Sequence, residues 1–170
     1  MKNVLLSKEE IDAVIHDLAN KILQRHPDLS RIMLVGIERR GADLAKRLRS
    51  LLGGSVRIAS LDINLYRDDW TTLEGKPQIA HSTIAGRLDG EIVILVDDVL
   101  YTGRTIRAAL EALLDYGRPQ KVELLALIDR GHRELPIQPD YTGKAIKTDR
   151  TGIINVFLEE RDGMECVSIE

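Results

Sequence analysis

The chain has 170 residues, of which 44% are hydrophobic, 30% charged and only 4% aromatic, and its formal net charge is -3. That is one compact domain's worth of sequence, too charged for a membrane protein, too apolar for a disordered one, and not basic enough overall to bind a polyanion except through a local patch. A single cysteine, Cys166, excludes an internal disulfide and a zinc or redox pair, and it reads as a small buried hydrophobe.

The apolar run Val4-Leu5-Leu6 is far shorter than a signal peptide needs, and no stretch approaches a membrane span, so a cytoplasmic location without membrane partners is expected. Ser7 and Glu10 make a capping-box pattern; Ile11, Val14, Ile15, Leu18, Ala19, Ile22 and Leu23 then recur at helical spacing, predicting a helix from Lys8 to Gln24 that Pro27 stops. Ile32-Met33-Leu34-Val35 reads as a strand buried on both faces. Gly36-Ile37-Glu38-Arg39-Arg40-Gly41 reads as a loop between two glycines, followed by an amphipathic helix carrying Ala42, Leu44, Ala45, Leu48, Leu51 and Leu52 up to Gly53-Gly54. A second strand is predicted from Val56 to Leu65. The polar, weakly periodic excursion from Tyr66 to Gly90 is a candidate lid.

Glu91 to Val96 is the strongest buried-strand signal, and the helix after it places Ile106, Ala109, Leu110, Leu113 and Leu114 on one face before Tyr116-Gly117. Val122 to Ile128 is another strand; beyond Asp129 the pattern weakens, with late strands from Ile153 to Leu158 and from Cys166 to Ile169. Strands alternating with helices predict an α/β fold with a parallel sheet and right-handed crossovers, in a single domain over residues 1–170.

In such sheets ligands bind beyond the carboxyl ends of the strands. There, Asp97-Asp98-Val99-Leu100-Tyr101-Thr102-Gly103-Arg104-Thr105 sends two carboxylates off a strand end, and a hydroxyl-and-glycine turn then opens a helix whose amides can hold a phosphate. Acids beside an anion cradle make sense when sugar hydroxyls or a divalent cation lie between them, and a sugar phosphate fits both. A lone Asp98 or Thr102 would more simply be a helix cap; the whole string is not explained that way. Neither a GxxxxGK[ST] phosphate loop nor GxGxxG occurs.

Val93-Ile94-Leu95-Val96-Asp97-Asp98-Val99-Leu100-Tyr101-Thr102-Gly103-Arg104-Thr105 closely resembles the phosphoribosyl pyrophosphate (PRPP) signature of type I phosphoribosyltransferases. Together with Leu61-Asp62-Ile63, Leu65-Tyr66-Arg67-Asp68-Asp69 and Asp129-Arg130-Gly131-His132-Arg133-Glu134-Leu135-Pro136, the sequence resembles the bifunctional pyrimidine operon attenuation regulator and uracil phosphoribosyltransferase family, from the first helix to the C-terminal strand. The resemblance implies a Rossmann-like parallel-sheet core flanked by helices, a small base-covering hood built from terminal segments, and a homodimer or homotetramer. It implies a glycosyltransferase that makes UMP and diphosphate from uracil and PRPP with magnesium, and a UMP-responsive RNA-binding regulator that reads pyrimidine-operon leader mRNA in transcription attenuation.

Carried over by residue, Asp97, Asp98 and Arg40 are the catalytic candidates. Asp97 and Asp98 would hold the ribose hydroxyls and, through PRPP, magnesium. The PRPP site would run from Asp97 and Asp98 through Val99, Leu100 and Tyr101 to a 5′-phosphate cradle of Thr102, Gly103, Arg104 and Thr105. Arg39, Arg40 and Gly41 would meet the diphosphate, although Glu38-Arg39 stands where the resemblance leads one to expect a basic residue and Thr. Residues 70–86 correspond to the flexible catalytic loop, which would keep water from an oxocarbenium-like ribose carbon. The base would lie at Ile128, Asp129 and Arg130; no aromatic occurs between Val122 and Pro136 to stack on a purine. His132 reads as a hydrogen-bonded residue rather than an acid or base.

The RNA candidates are His16, Asn20, Arg133 and Lys144, within a mixed patch that includes Arg130, Lys147, Arg150, Asp140 and Asp149. His16, Asp17, Asn20 and Gln138 depart from the Thr or Arg, His and Arg that the resemblance leads one to expect there. The alternatives are a uracil phosphoribosyltransferase without RNA binding and a purine-base phosphoribosyltransferase.

Overall fold

In a computed structural model, residues 3–64 and 82–170 are described. In chain order the elements are β1 (Asn3–Leu6), α1 (Lys8–Arg25), β2 (Ile32–Ile37), α2 (Arg40–Leu52), β3 (Arg57–Leu61), β4 (Ile92–Leu100), α3 (Arg104–Leu113), β5 (Lys121–Asp129), β6 (Tyr141–Ala145), β7 (Ile154–Phe157), α4 (Glu159–Asp162) and β8 (Cys166–Ile169). A short 3-10 turn at Leu114–Tyr116 follows α3. The five central strands form a parallel sheet in the order β3-β2-β4-β5-β6.

Burial on both faces is what makes β2, β4 and β5 near-continuous apolar runs. On one face Ile32, Leu34, Ile94, Val96, Leu125 and Leu127 meet α1 and α2 through Ile15, Leu18, Ile22, Leu44 and Leu48. On the other, Val35, Val93, Leu95, Leu124 and Ala126 meet α3 through Ile106, Ala109 and Leu113. The capping box at Ser7 and Glu10 is present, and α1 runs one residue past the predicted end. Among the described residues no helix is long and apolar enough to cross a membrane.

Several local expectations are corrected. β2 continues through Gly36 and Ile37, and α2 already begins at Arg40, so the predicted six-residue loop shrinks to Glu38 and Arg39. β4 does not end at Val96: it carries Asp97 and Asp98 inside the strand, with Asp97, Val99 and Leu100 in register with Ala126, Ile128 and Asp129. β3 is shorter than expected. Leu110 and Leu114 are exposed, because the inward stripe of α3 is instead Ile106, Ala108, Ala109, Ala112 and Leu113. Cys166 is only partly buried, on β8 opposite Phe157. Most of the candidate lid, residues 66–81, lies outside the described residues; its far end returns along β3, where the Thr83 amide donates to the Ser60 carbonyl (3.0 Å).

The hood is a three-stranded antiparallel sheet, β1-β8-β7, which brings the two ends of the chain together. Leu6, Val156, Leu158 and Val167 seat it on the α1–α2 layer.

At the amino end of β5, far along the strand from Asp129, Glu123 is fully buried yet charged. Burial opposes its ionisation, but Lys121 (2.8 Å), the Tyr141 hydroxyl (2.6 Å) and the His26 ring (2.9 Å) together hold its pKa down at about 2. The stability this confers is complete above the ordinary glutamate range near pH 4.5 and is lost as pH falls from there toward about 2. Glu123→Gln is therefore expected to cost about 1–3 kcal/mol at pH 7. Urea unfolding at a series of pH values should show the gap between variant and parent closing between pH 4.5 and 2; a gap independent of pH would remove this account.

Candidate active site

The chain runs outward from β2 through α2 to β3, then returns to the other side of β2 with β4 and proceeds through α3 to β5. The strand order therefore reverses between β2 and β4, and loops leaving their carboxyl ends diverge and open a crevice. A cavity of about 280 Å³ lies there, lined by Ile37, Glu38, Arg39, Arg40, Ile63, Asn64, Asp97, Asp98, Val99 and Thr105.

Close backbone approach forms the β2 side of this crevice. A Cβ on Gly36 would lie 2.3 Å from the Ala42 Cα, and one on Gly41 would lie 2.3 Å from the Val96 carbonyl oxygen. Only glycine lets the first turn of α2 press against both strands, which carries Arg39 and Arg40 to the rim beside Asp97. The Glu38–Arg39 peptide is cis. α2 begins with no side-chain cap, its Ala42 amide donating instead to the Arg39 carbonyl (3.2 Å), and the positive end of the helix dipole lies at Arg40 on the cavity lining.

On the β4 side, Gly103 holds φ 91° at the start of α3, which likewise has no N-cap side-chain bond. The Thr102 hydroxyl accepts from the Arg104 amide at 3.3 Å. Two helix N-termini thus meet the crevice, one from each side of its floor, a geometry suited to anions.

The floor is acidic. Asp97 is buried and accepts from the Asp98 amide (3.0 Å), while Asp98 accepts from the Val99 amide (2.9 Å). Burial pushes the Asp97 carboxyl well above the usual carboxylate range, and the charge of Asp98 adds to this. Burial raises Asp98 too, against the pull of the Val99 amide and the charge of Arg40. A like-charged pair with so few donors is stabilised by whatever supplies positive charge or hydroxyl donors, so the residues fit a hard divalent cation and a diol. No group of three or more His, Cys, Asp or Glu suited to a metal occurs among the described residues, so a cation here would have to take most of its ligands from what it binds with.

The loop after β5 is stitched to the phosphate turn. Arg133 donates to the Tyr101 carbonyl (3.0 Å), the Ile137 carbonyl (2.8 Å) and Asp129 (2.7 Å), and the Glu134 and Leu135 amides both donate to the Thr102 carbonyl. Arg130, expected near the base, is buried with its guanidinium 4.0 Å over the Tyr101 ring and donates to the Asp149 carbonyl (3.0 Å). Two backbone groups at the expected base position are engaged: the Arg130 amide donates to the Leu100 carbonyl, and the Asp129 carbonyl accepts from the Ile146 amide. His132 shares a 2.6 Å hydrogen bond with the Thr148 carbonyl and meets Tyr101 edge-on.

Asp97, Asp98, Arg39, Arg40 and Thr105 thus share one cavity, and Gly41, Thr102, Gly103 and Arg104 shape its two helix starts. The RNA candidates are not brought together. Arg133 is half-buried with its guanidinium engaged internally, whereas Lys144, His16 and Asn20 are exposed. Val14, Lys21 and Arg25 of α1 touch β6, at Gly143, Thr142 and Tyr141, while His16 lies about 200° around the helix from Val14. The contact that sequence reading missed is Arg40 with Asp162, 122 positions apart (2.9 Å).

A crevice between two helix starts over an acidic strand end, on this strand order, is the architecture of a phosphoribosyl transferase domain, and the family model of that description matches residues 3–160. Hypoxanthine phosphoribosyltransferase from Trypanosoma cruzi has the same fold, with a TM-score of 0.76 at 17% identity over 99% of this chain and 94% of that one. The bifunctional protein PyrR of Desulfosudis oleivorans is 46% identical over 97% of this chain and 94% of its own length. That of Alkaliphilus metalliredigens is 48% identical over 98% and 93%. The chain belongs to the PyrR family of phosphoribosyltransferases.

Proposed function

We propose that the protein transfers the phosphoribosyl group of PRPP to uracil, giving UMP and diphosphate, and that it is also a UMP-responsive regulator binding pyrimidine-operon leader RNA. The observation that carries the enzymatic reading is the pair of helix starts flanking Asp97 and Asp98 at one cavity. The order of the lining groups, helix start, two carboxylates, helix start, suits a ligand with an anion at each end and hydroxyls between.

In this reading Thr102, Gly103, Arg104 and Thr105 cradle the 5′-phosphate, Asp97 and Asp98 hold the ribose hydroxyls, and Arg39, Arg40 and the amide of Gly41 receive the diphosphate. Val99, Leu100 and Tyr101 form the wall between them. The anomeric C–O bond to diphosphate breaks, the bond from that carbon to the uracil nitrogen forms, and the uracil proton leaves to solvent. Charge stabilisation of the leaving group carries the barrier, so no side-chain base is required. Magnesium bound with PRPP against Asp97 and Asp98 would neutralise the departing diphosphate. The segment around Ile128, Asp129 and Arg130 lies at the base end, and residues 70–86 would exclude water. The regulatory reading is supported by relatives whose name declares two functions. His16, Asn20 and Lys144 are its exposed candidates, and the assembly is a homodimer or homotetramer.

Incubation with PRPP, magnesium and labelled base should yield nucleotide from uracil and none from hypoxanthine; the reverse would establish the purine reading. Calorimetric titration of a pyrimidine-leader hairpin, with and without UMP at two salt concentrations, should show binding that UMP tightens and salt weakens. UMP binding without RNA binding would leave an enzyme alone.

A further inference from the structure

The four residues of α4 contain no buried side chain, yet every one of them is paired to α1 or α2. Glu159 pairs with Lys8, Glu160 with Arg47 and Arg161 with Asp43 (2.6 Å), and Asp162 receives Arg40. The partners on α2, at 40, 43 and 47, are one turn apart, so they form a ladder down a single face of the helix. Its other rungs stand away from the crevice floor. The first rung is Arg40, which lines the cavity and whose charge is felt by Asp98.

The contact is built from both sides. Arg40 reaches Asp162 with two nitrogens, Nη2 to Oδ1 at 2.9 Å and Nε to Oδ2 at 3.4 Å. Asp162 is itself anchored, because its Oδ2 accepts from the Leu158 amide at 2.8 Å. A free arginine loses about 2 kcal/mol of rotamer entropy when a ligand orders it, and a fixed, forked carboxylate removes much of that loss in advance. The Asp162 side chain is 16% exposed and that of Arg40 33%, so the guanidinium keeps an open edge toward the cavity.

We infer that Asp162, on the hood, is a positioning residue for phosphoribosyl transfer, holding the Arg40 guanidinium at the rim of the crevice in the orientation that receives the diphosphate group. This rests on the reading of the crevice as the PRPP site. The hood thereby takes part in substrate binding through α2, at the end of the cavity away from the base.

The test is steady-state kinetics of the full-length protein, with diphosphate inhibition measured in parallel. Asp162→Asn should raise both the KM for PRPP and the inhibition constant of diphosphate about tenfold, leaving the KM for uracil within about twofold. Asp162→Glu, which keeps the anion, should recover part of the loss, and it replaces the Asn variant should that fail to fold. Glu160→Gln removes a rung of the same ladder outside the cavity and should leave the PRPP KM unchanged. Equal effects of Glu160→Gln and Asp162→Asn, or none from either Asp162 variant, would overturn the assignment. Arg40→Ala separates the two levels of argument: if it leaves diphosphate inhibition intact, the reading of the crevice fails at Arg40. If Arg40→Ala abolishes inhibition while the Asp162 variants do not alter it, only the role of Asp162 falls.

Discussion

Asp98→Asn is expected to lower kcat for UMP formation by about 10³-fold, the magnitude usual for removing a charged group aimed at a developing transition-state charge, while leaving the protein as stable as before or slightly more so. The two halves of this prediction have one cause. Asn keeps the shape and the acceptor oxygen that takes the Val99 amide, so the strand end is undisturbed. It removes one of two crowded acidic groups: burial holds both carboxyls above their usual range, and the charge of Asp98 adds to the shift of Asp97. The charge that destabilises the empty site is the one proposed to bind the ribose hydroxyls and magnesium. Turnover assays alongside thermal melting check both halves, and unchanged turnover would withdraw the ribose-site assignment.

Gly41→Ala is expected to be as damaging by a different route. The added methyl would sit 2.3 Å from the Val96 carbonyl oxygen, in the backbone of the central strand, where no side chain can rotate aside. α2 must therefore back away from β4, taking Arg39, Arg40 and the positive end of its dipole with it. A displacement of about 1 Å at such a site costs on the order of 100-fold in kcat/KM for PRPP, and the overpacking costs about 1–3 kcal/mol of stability. Gly54→Ala is the control, because nothing lies within 4 Å of its Cβ position. Melting curves and PRPP kinetics of the two variants should diverge sharply; similar, mild effects would mean that the close approach is not required.

Much of the core was legible because it rests on local pattern. Strands buried on both faces must be continuous apolar runs, which is how β2, β4 and β5 were found, and the 3.6-residue period of α1 and α2 followed from having one buried face. The turn from Thr102 to Thr105, proposed as the anion cradle, was equally local, since a glycine at positive φ followed by a helix start is a short-range signal. The strand limits were harder to see. Asp97 and Asp98 belong to β4 because β5 pairs past them, yet two consecutive acids read as a loop. β1 and β6 are short edge strands, one four residues and the other five, without alternation to announce them. Arg133, read as a surface residue for RNA, turns inward because the loop after β5 needs donors for the Tyr101 and Ile137 carbonyls.

By itself, then, the sequence determined the fold class, the order of the central elements and the local residue pattern proposed as the phosphate site, because hydrophobic period and turn chemistry act over a few residues. Tertiary structure alone decided that Gly41 must touch Val96, that the chain ends pair as β1 and β8, and that Asp162 meets Arg40 across 122 positions. Those contacts depend on how whole layers seat on one another, and a charge or a glycine carries no local mark of the partner that packing will bring to it.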